Sequence, residues 1–319
     1  MGSPAYSNSL VIGDPLERMI RLVKTVLSFG ETLWDLLPAG PLLGGAPCNL
    51  AYRVSSLGER GLLVTRLGHD DLGRTAAEQL RALGMDLSLV QGDDRRPTGT
   101  VPVTLDAKGV PDFRILPDVA YDYIAVTAKL LSEADQADCI CFGTLVQRSP
   151  VSRTTLYRVL EAAPRALKVL DLNLRRDCYS RETVMASLEL ADVLKLNDGE
   201  VLELARMFGL KSGSPQETAR ACRSTWDLDA CVVTLGAQGA YGVTATEEAT
   251  VEGWKVQVVD TIGAGDAFTA AFVTCRLRGI PFEDCCYFGN ALGALVSGTK
   301  GATSPIGLDE IYRFCGRSI

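Results

Sequence analysis

Gly263-Ala264-Gly265-Asp266 sets three residues of little bulk ahead of a carboxylate, within the longer stretch Asp260-Thr261-Ile262-Gly263-Ala264-Gly265-Asp266-Ala267-Phe268. An apolar run from there toward Leu277 reads as a helix, and Lys255 to Val259 is expected to be the strand before it. Small residues let the backbone approach a ligand closely, and the N–H groups at a helix start form its positive end. Such a cradle suits the negative charge that develops on a transferred phosphoryl group. The next side chain, Asp266, can accept the proton of an attacking hydroxyl. The same stretch also fits a glycine turn capped by an aspartate, as many helices begin, and local chemistry leaves both readings open. It is neither a GxxxxGK[ST] phosphate loop nor a GxGxxG dinucleotide fingerprint, because Gly263-x-Gly265 lacks the third glycine.

Other side chains sit where ligands commonly bind. Gly30-Glu31-Thr32-Leu33-Trp34-Asp35 follows the first strand, and the carboxyl ends of parallel strands are ligand-binding ends. An acidic group there can accept two hydrogen bonds from adjacent sugar hydroxyls. Asn197-Asp198-Gly199-Glu200 lies between a strand and a helix and fits a capping box, Asn197 as the cap and Glu200 three residues on. Thr234-Leu235-Gly236-Ala237-Gln238-Gly239 fits a tight turn between strands. The single histidine, His69, is expected to be structural.

The elements that must hold these residues alternate. Short apolar runs at 26–29, 62–64, 139–142, 169–172, 193–196 and 230–234 are separated by helical spacing at Leu50, Val54 and Leu57, at Leu80 and Leu83, and across Thr183–Leu190 and Val201–Phe208. Continuous apolar strands alternating with helices predict an α/β fold with a mostly parallel central sheet covered on both faces. Thr100 to Ile115 breaks the rhythm: Val101, Val103 and Leu105 alternate, Lys108-Gly109 turns, and Phe113 and Ile115 return. This predicts a β-hairpin lid inserted at about 99–116, which needs a cover, either a cleft it closes over or a second copy of the chain in a homodimer. Residues 1–23 show no period and read as an arm ahead of one domain spanning 24–319.

With 319 residues the chain can bury a large core without staples, and its net charge of −7 argues against a nucleic-acid or membrane-surface partner. The ten cysteines fall largely in apolar stretches and read as buried thiols of a reducing compartment. No secretory signal or membrane-spanning run is legible, which points to the cytoplasm.

DTIGAGDAF resembles the C-terminal signature of the ribokinase-like, or PfkB, carbohydrate kinases. Gly44-Gly45-Ala46-Pro47-Cys48-Asn49-Leu50-Ala51, followed by Gly68-His69-Asp70-Asp71-Leu72-Gly73, resembles that family's other signature, in the expected order and over two hundred residues away. The resemblance extends over roughly residues 25–315. It implies a ribokinase-like fold and ATP-dependent phosphorylation of a sugar hydroxyl, with Asp266 as the catalytic base and the backbone of Gly263, Ala264 and Gly265 as an anion hole. It also implies sugar contacts from Asp35, Gly44, Gly45 and Asn49. On the nucleotide side it implies Asn197 and Glu200, Thr234, Gly236, Gly239 and, near the adenine, Asn290. Mg²⁺ would meet Glu200 only through water, and Asp260 with the Ile262 carbonyl matches positions that hold K⁺ in some relatives.

GETLWD, GGAPCNLA, Pro97 to Val101 and Phe142-Gly143-Thr144-Leu145 with Gln147-Arg148 resemble bacterial fructokinases more than ribokinases. Asp171-Leu172-Asn173-Leu174-Arg175 occurs in fructokinases and in 2-keto-3-deoxygluconate kinases, so Arg175 faces a sugar or a phosphate. A sugar acid would call for a further arginine, and Arg114 on the hairpin is the candidate. The expectation is therefore a fructokinase, the alternatives being a sugar-acid kinase and a sugar-binding or regulatory protein that keeps the fold without turnover.

Overall fold

Buried parallel strands need apolar side chains on both faces, and the short runs above supply them. The computed structural model describes residues 23–37, 40–105, 111–211 and 213–317, so the arm lies outside the described residues except for Val23. The strands are β1 Thr25–Phe29, β2 Leu33–Leu37, β3 Gly40–Gly44, β4 Arg60–Gly68, β5 Val90–Asp93, β6 Gly99–Leu105 and β7 Pro111–Phe113. They continue with β8 Cys139–Phe142, β9 Leu167–Asp171, β10 Val193–Asn197, β11 Ala230–Thr234, β12 Ala240–Thr244 and β13 Glu248–Val251. The helices are α1 Ala46–Ser56, α2 Asp71–Ala82, α3 Ala128–Asp135, α4 Pro150–Ala162 and α5 Arg181–Leu190. After them come α6 Asp198–Phe208, α7 Pro215–Thr225, α8 Ala264–Leu277, α9 Phe282–Ser297 and α10 Leu308–Cys315.

Nine strands form one sheet in the order β13-β12-β11-β10-β9-β8-β1-β4-β5. Pairing is parallel from β11 to β5, and β12 and β13 add an antiparallel edge. Alternate residues split the core. Leu27, Phe29, Ile140, Phe142, Leu170 and Leu196 belong to one buried cluster, and Val26, Cys139, Cys141, Val169 and Val193 to another, with α8 and α9. From β1 the chain builds outward through β4 and β5, then crosses back to β8 and builds the other way. That reversal makes the carboxyl ends of β1 and β8 the switch point where α/β sheets open a crevice.

The expected hairpin is there as β6 and β7, paired antiparallel, with residues 106–110 outside the described set. β2 and β3, which the sequence did not show as strands, extend it into a second sheet of order β3-β2-β6-β7. Trp34 explains the seating: its buried indole donates to the Leu72 carbonyl at 3.1 Å, fixing β2 against α2. A second correction concerns Lys255 to Val259, which is not a strand. Its end instead follows the C-terminus of α9, Val259 N–H donating to the Ser297 carbonyl at 2.8 Å, so the sheet ends at β13. Among the described residues no helix is long and apolar enough to cross a membrane.

Candidate active site

Three carboxylates meet where the switch point opens. The cavity there is lined by Ser28 and Glu31 at the end of β1, by Cys141 to Leu145 at the end of β8, by Asp171 and Asn173 at the end of β9, and by Asp266 at the start of α8. Helix α8 begins without a side-chain cap, on Gly263 with φ 78°. A Cβ at Gly263 would lie 2.3 Å from the Ala302 Cβ, so only glycine fits both the left-handed backbone and the close approach. The Ala264 N–H turns inward to the Thr261 carbonyl at 3.3 Å. The N–H groups of Gly265 and Asp266 have no partner among the described residues and stand at the positive end of the helix.

Asp266 is held from across the cleft: Asn49 Nδ2, on α1, donates to Asp266 Oδ2 at 2.8 Å. Gly45 lets α1 start so close, with φ 116° and a virtual Cβ only 2.4 Å from the Glu31 carbonyl. Burial pushes Asp266 up to about 6, with Asp171 adding to the rise and the Asn49 hydrogen bond, Lys195 and Arg175 opposing it. Burial likewise pushes Glu31 up to about 7, against backbone hydrogen bonds and Arg175. Asp266 is therefore a carboxylate that is largely ionised at neutral pH yet basic enough to take a proton.

Behind it lies a network that sequence reading missed. Lys195, on β10, is buried and donates to Asp171 Oδ1 at 3.1 Å, and Asp171 Oδ2 accepts from Thr269 Oγ1 at 2.8 Å. A Cβ at Gly265 would lie 3.0 Å from the lysine Nζ, placing this ammonium directly behind the start of α8. Burial alone would lower the Lys195 pKa, but Asp171, Glu200 and Asp266 outweigh it and raise the value. The signal was present: Lys195 is a charge inside the apolar run Val193–Leu196, in a strand buried on both faces.

The other expected residues fall into three groups. Asp35 is half-buried on β2, on the face opposite Trp34; burial raises its pKa, Arg175 opposes this, and a Cβ at Gly44 would lie 3.1 Å from its Oδ2. Arg175 is exposed, yet its charge reaches Asp35, Glu31 and Asp266 alike, which sets it at the mouth of the cleft. The Asn197–Glu200 capping box forms in full, and Asn197 pairs in register with Thr234 at the ends of β10 and β11. Gly236 and Gly239 both take positive φ in the turn after β11, and Asn290 Nδ2 donates at 2.9 Å to the Glu252 carbonyl, which adjoins Gly239. These residues form one surface around the β10–β11 ends. Two arginines stand apart from both groups: Arg148 is spent on Asp122 at 2.9 Å and on the Leu116 carbonyl at 2.7 Å, and Arg114 is exposed beyond β7.

The profile of the pfkB family carbohydrate kinases matches residues 40–308. The chain is 32% identical to fructokinase-1 of Oryza sativa subsp. japonica, an alignment covering 87% of this chain and 93% of the relative. Among solved structures, fructokinase from Vibrio cholerae with fructose, ADP and a calcium ion superposes with a TM-score of 0.77 at 26% identity, over 92% of this chain and 99% of that one. A double mutant of that enzyme, 25% identical over 92% of this chain and 98% of that one with a TM-score of 0.77, was solved with fructose, ADP and a potassium ion. A sugar kinase from Pyrococcus horikoshii in complex with ATP gives 0.77 at 27% identity, over 92% of this chain and 100% of that one. The chain belongs to the pfkB family of carbohydrate kinases and is an ATP-dependent sugar kinase.

Proposed function

We propose that the sugar is a neutral ketohexose, fructose, and that the product is fructose 6-phosphate. The observation that carries this reading is the cavity wall. Glu31, Asp171 and Asp266 line it, and the arginine near them, Arg175, stands at the mouth with its charge already shared among Glu31, Asp35 and Asp266. A sugar acid would bring its own carboxylate against three others, which like-charge repulsion disfavours.

In this reading the sugar hydroxyl gives its proton to Asp266 Oδ1, which has no hydrogen-bond partner among the described residues, while Asn49 holds Oδ2. The hydroxyl oxygen bonds to the γ-phosphorus as the bond to the β-phosphate oxygen breaks, and ADP leaves. The unpaired N–H groups of Gly265 and Asp266, next to Gly263 and Ala264, receive the charge on the phosphoryl oxygens. Asp35, Gly44, Gly45 and Arg175 hold the sugar from the lid side. Asn197, Thr234, Gly236, Gly239 and Asn290 hold the nucleotide.

Mg²⁺ accompanying ATP neutralises phosphate charge. Glu200 fits a role through water, because both its oxygens already accept N–H groups, from Asn197 and Leu174, each at 2.8 Å. Asp260 similarly accepts from Ile262 at 3.0 Å and Gly301 at 3.2 Å, so K⁺ there would draw on backbone carbonyls, that of Ile262 among them. The test is a phosphorylation screen with ATP across fructose, ribose, 2-keto-3-deoxygluconate and adenosine. Fructose is expected to give the highest kcat/KM; an advantage of about tenfold or more for the sugar acid would overturn the assignment.

A further inference from the structure

Arg53 lies one helical turn beyond Asn49 on α1 and is fully buried. Its guanidinium donates to two backbone carbonyls: Nη1 to Ser304 at 2.7 Å and Nη2 to Ala302 at 2.6 Å. Among the described residues no carboxylate pairs with it, and its Nε has no hydrogen-bond partner. Burial pushes its pKa down to about 10, and it remains charged at neutral pH. A buried, unpaired charge is costly to keep, and a packing role would be served by an apolar side chain of the same length.

What the two carbonyls belong to explains the arrangement. They lie in the loop after α9, and this loop is what Gly263 packs against, through Ala302. The same loop donates the Gly301 N–H to Asp260, whose other oxygen accepts from Ile262, the residue before Gly263. The segment that opens α8 is thus clamped between Asp260 and the 301–304 loop, and that loop hangs from Arg53. Helix α1 holds the carboxylate of Asp266 through Asn49 and the backbone ahead of it through Arg53.

We propose that Arg53 is a positioning residue for phosphoryl transfer, its guanidinium fixing the Ala302–Ser304 loop so that the N–H groups at the start of α8 stay aimed at the phosphoryl oxygens. The proposal rests on the reading of that helix start as an anion hole. It concerns turnover more than sugar binding, because Asp35, Asn49 and Arg175 are untouched by the change.

The test is Arg53→Ala, Arg53→Met and Arg53→Lys, assayed with the best sugar of the screen, with melting curves and sugar binding by calorimetry. Losing alignment of the charge-stabilising donors should lower kcat by about tenfold or more while the sugar KM changes by less than about threefold. Added guanidinium ion at millimolar concentration should restore part of the kcat of Arg53→Ala, where space is vacated, and none of that of Arg53→Met, where it is filled. Val159→Ala, a cavity in the other core cluster, provides a control that lowers the melting temperature with kcat intact. If Arg53→Ala does not fold, Arg53→Lys decides: it keeps the charge but reaches one carbonyl, and an intermediate kcat is expected. A folded variant with kcat within about threefold of wild type, or a loss in Arg53→Ala that guanidinium leaves unchanged, overturns the proposal. Should Asp266→Asn abolish turnover while the Arg53 variants stay active, only this inference fails; if Asp266→Asn is itself active, the reading of the helix start fails first.

Discussion

The two ends of the parallel strands use the same residue type in opposite ways. At the amino ends, an aspartate stands immediately before β8, β10 and β11: Asp138, Asp192 and Asp229. Asp138 accepts from the Thr25 N–H at 2.8 Å and from Lys24 at 2.9 Å, and Asp192 accepts from the Lys168 N–H at 2.8 Å, so these carboxylates stitch neighbouring strand starts together. They lie along an open groove that water reaches. At the carboxyl ends, Glu31 and Asp171 are buried and Asp266 is half-buried, and desolvation pushes Glu31 up to about 7 and Asp266 up to about 6. An acid at one end reinforces the sheet; at the other it is kept in a state the fold does not favour. Proteins give up stability at reactive positions in this way.

The largest effect expected from this contrast is on turnover. Asp266→Asn keeps the shape and the contact with Asn49 but cannot take a proton, so kcat should fall by about 10² to 10⁴ with sugar and ATP affinities little changed. The same variant should melt at a higher temperature than wild type. Because the folded-state pKa of Asp266 is raised from 3.8 to about 6, ionising it costs stability as pH rises through that window. The gain in Asp266→Asn should therefore be small near pH 4 and reach at most about 3 kcal/mol above pH 7. For the same reason kcat/KM of wild type should climb with pH through about 6 to 7, as a joint titration of Asp266 with Glu31. A variant that is slow yet no more stable, or a rate flat from pH 5 to 8, would break the contrast.

Next in size is Lys195→Met. Removing one partner of a buried pair strands the other, at a cost of about 3 to 5 kcal/mol, and here Asp171, Glu200 and Asp266 would all lose their shared cation. Denaturant unfolding should show the loss, and adding Asp171→Asn should recover part of it. No recovery would mean that Lys195 stabilises by packing alone.

The chain's own pattern revealed the core, the alternation and the GAGD helix start because each rests on local spacing. It did not reveal β2 and β3, since Leu33 to Gly44 has too much glycine and proline to read as strands until β6 lies beside them. Nor could it reveal that Asn49 reaches Asp266, over two hundred residues away, or that Lys195 faces three acids, because those contacts exist only once the sheet order is set. Lys255 to Val259 failed for the opposite reason: its composition suits a strand, but it pairs with none, and its end is tied to the C-terminus of α9 instead.

Smaller effects sharpen the comparison. Asp35→Asn should raise the sugar KM about tenfold with kcat within about threefold, because its contacts form before the chemical step. Asp192→Asn, at the amino end, should cost about 1 kcal/mol in unfolding experiments and leave both kinetic constants unchanged. A kinetic effect of Asp192→Asn would show that the two ends are not separable.

The second sheet has a consequence for how such an enzyme changes over generations. Asp35 and Gly44 belong to β2 and β3, joined to β1 of the main sheet by the short crossing at 30–32 and to α1 through Gly45. Asp266 and the Gly265 N–H belong to a helix packed on the opposite core. On the proposed reading, recognition and phosphoryl chemistry ride on separate elements, so changes in the lid strands are expected to shift the acceptor while the transfer machinery is inherited intact.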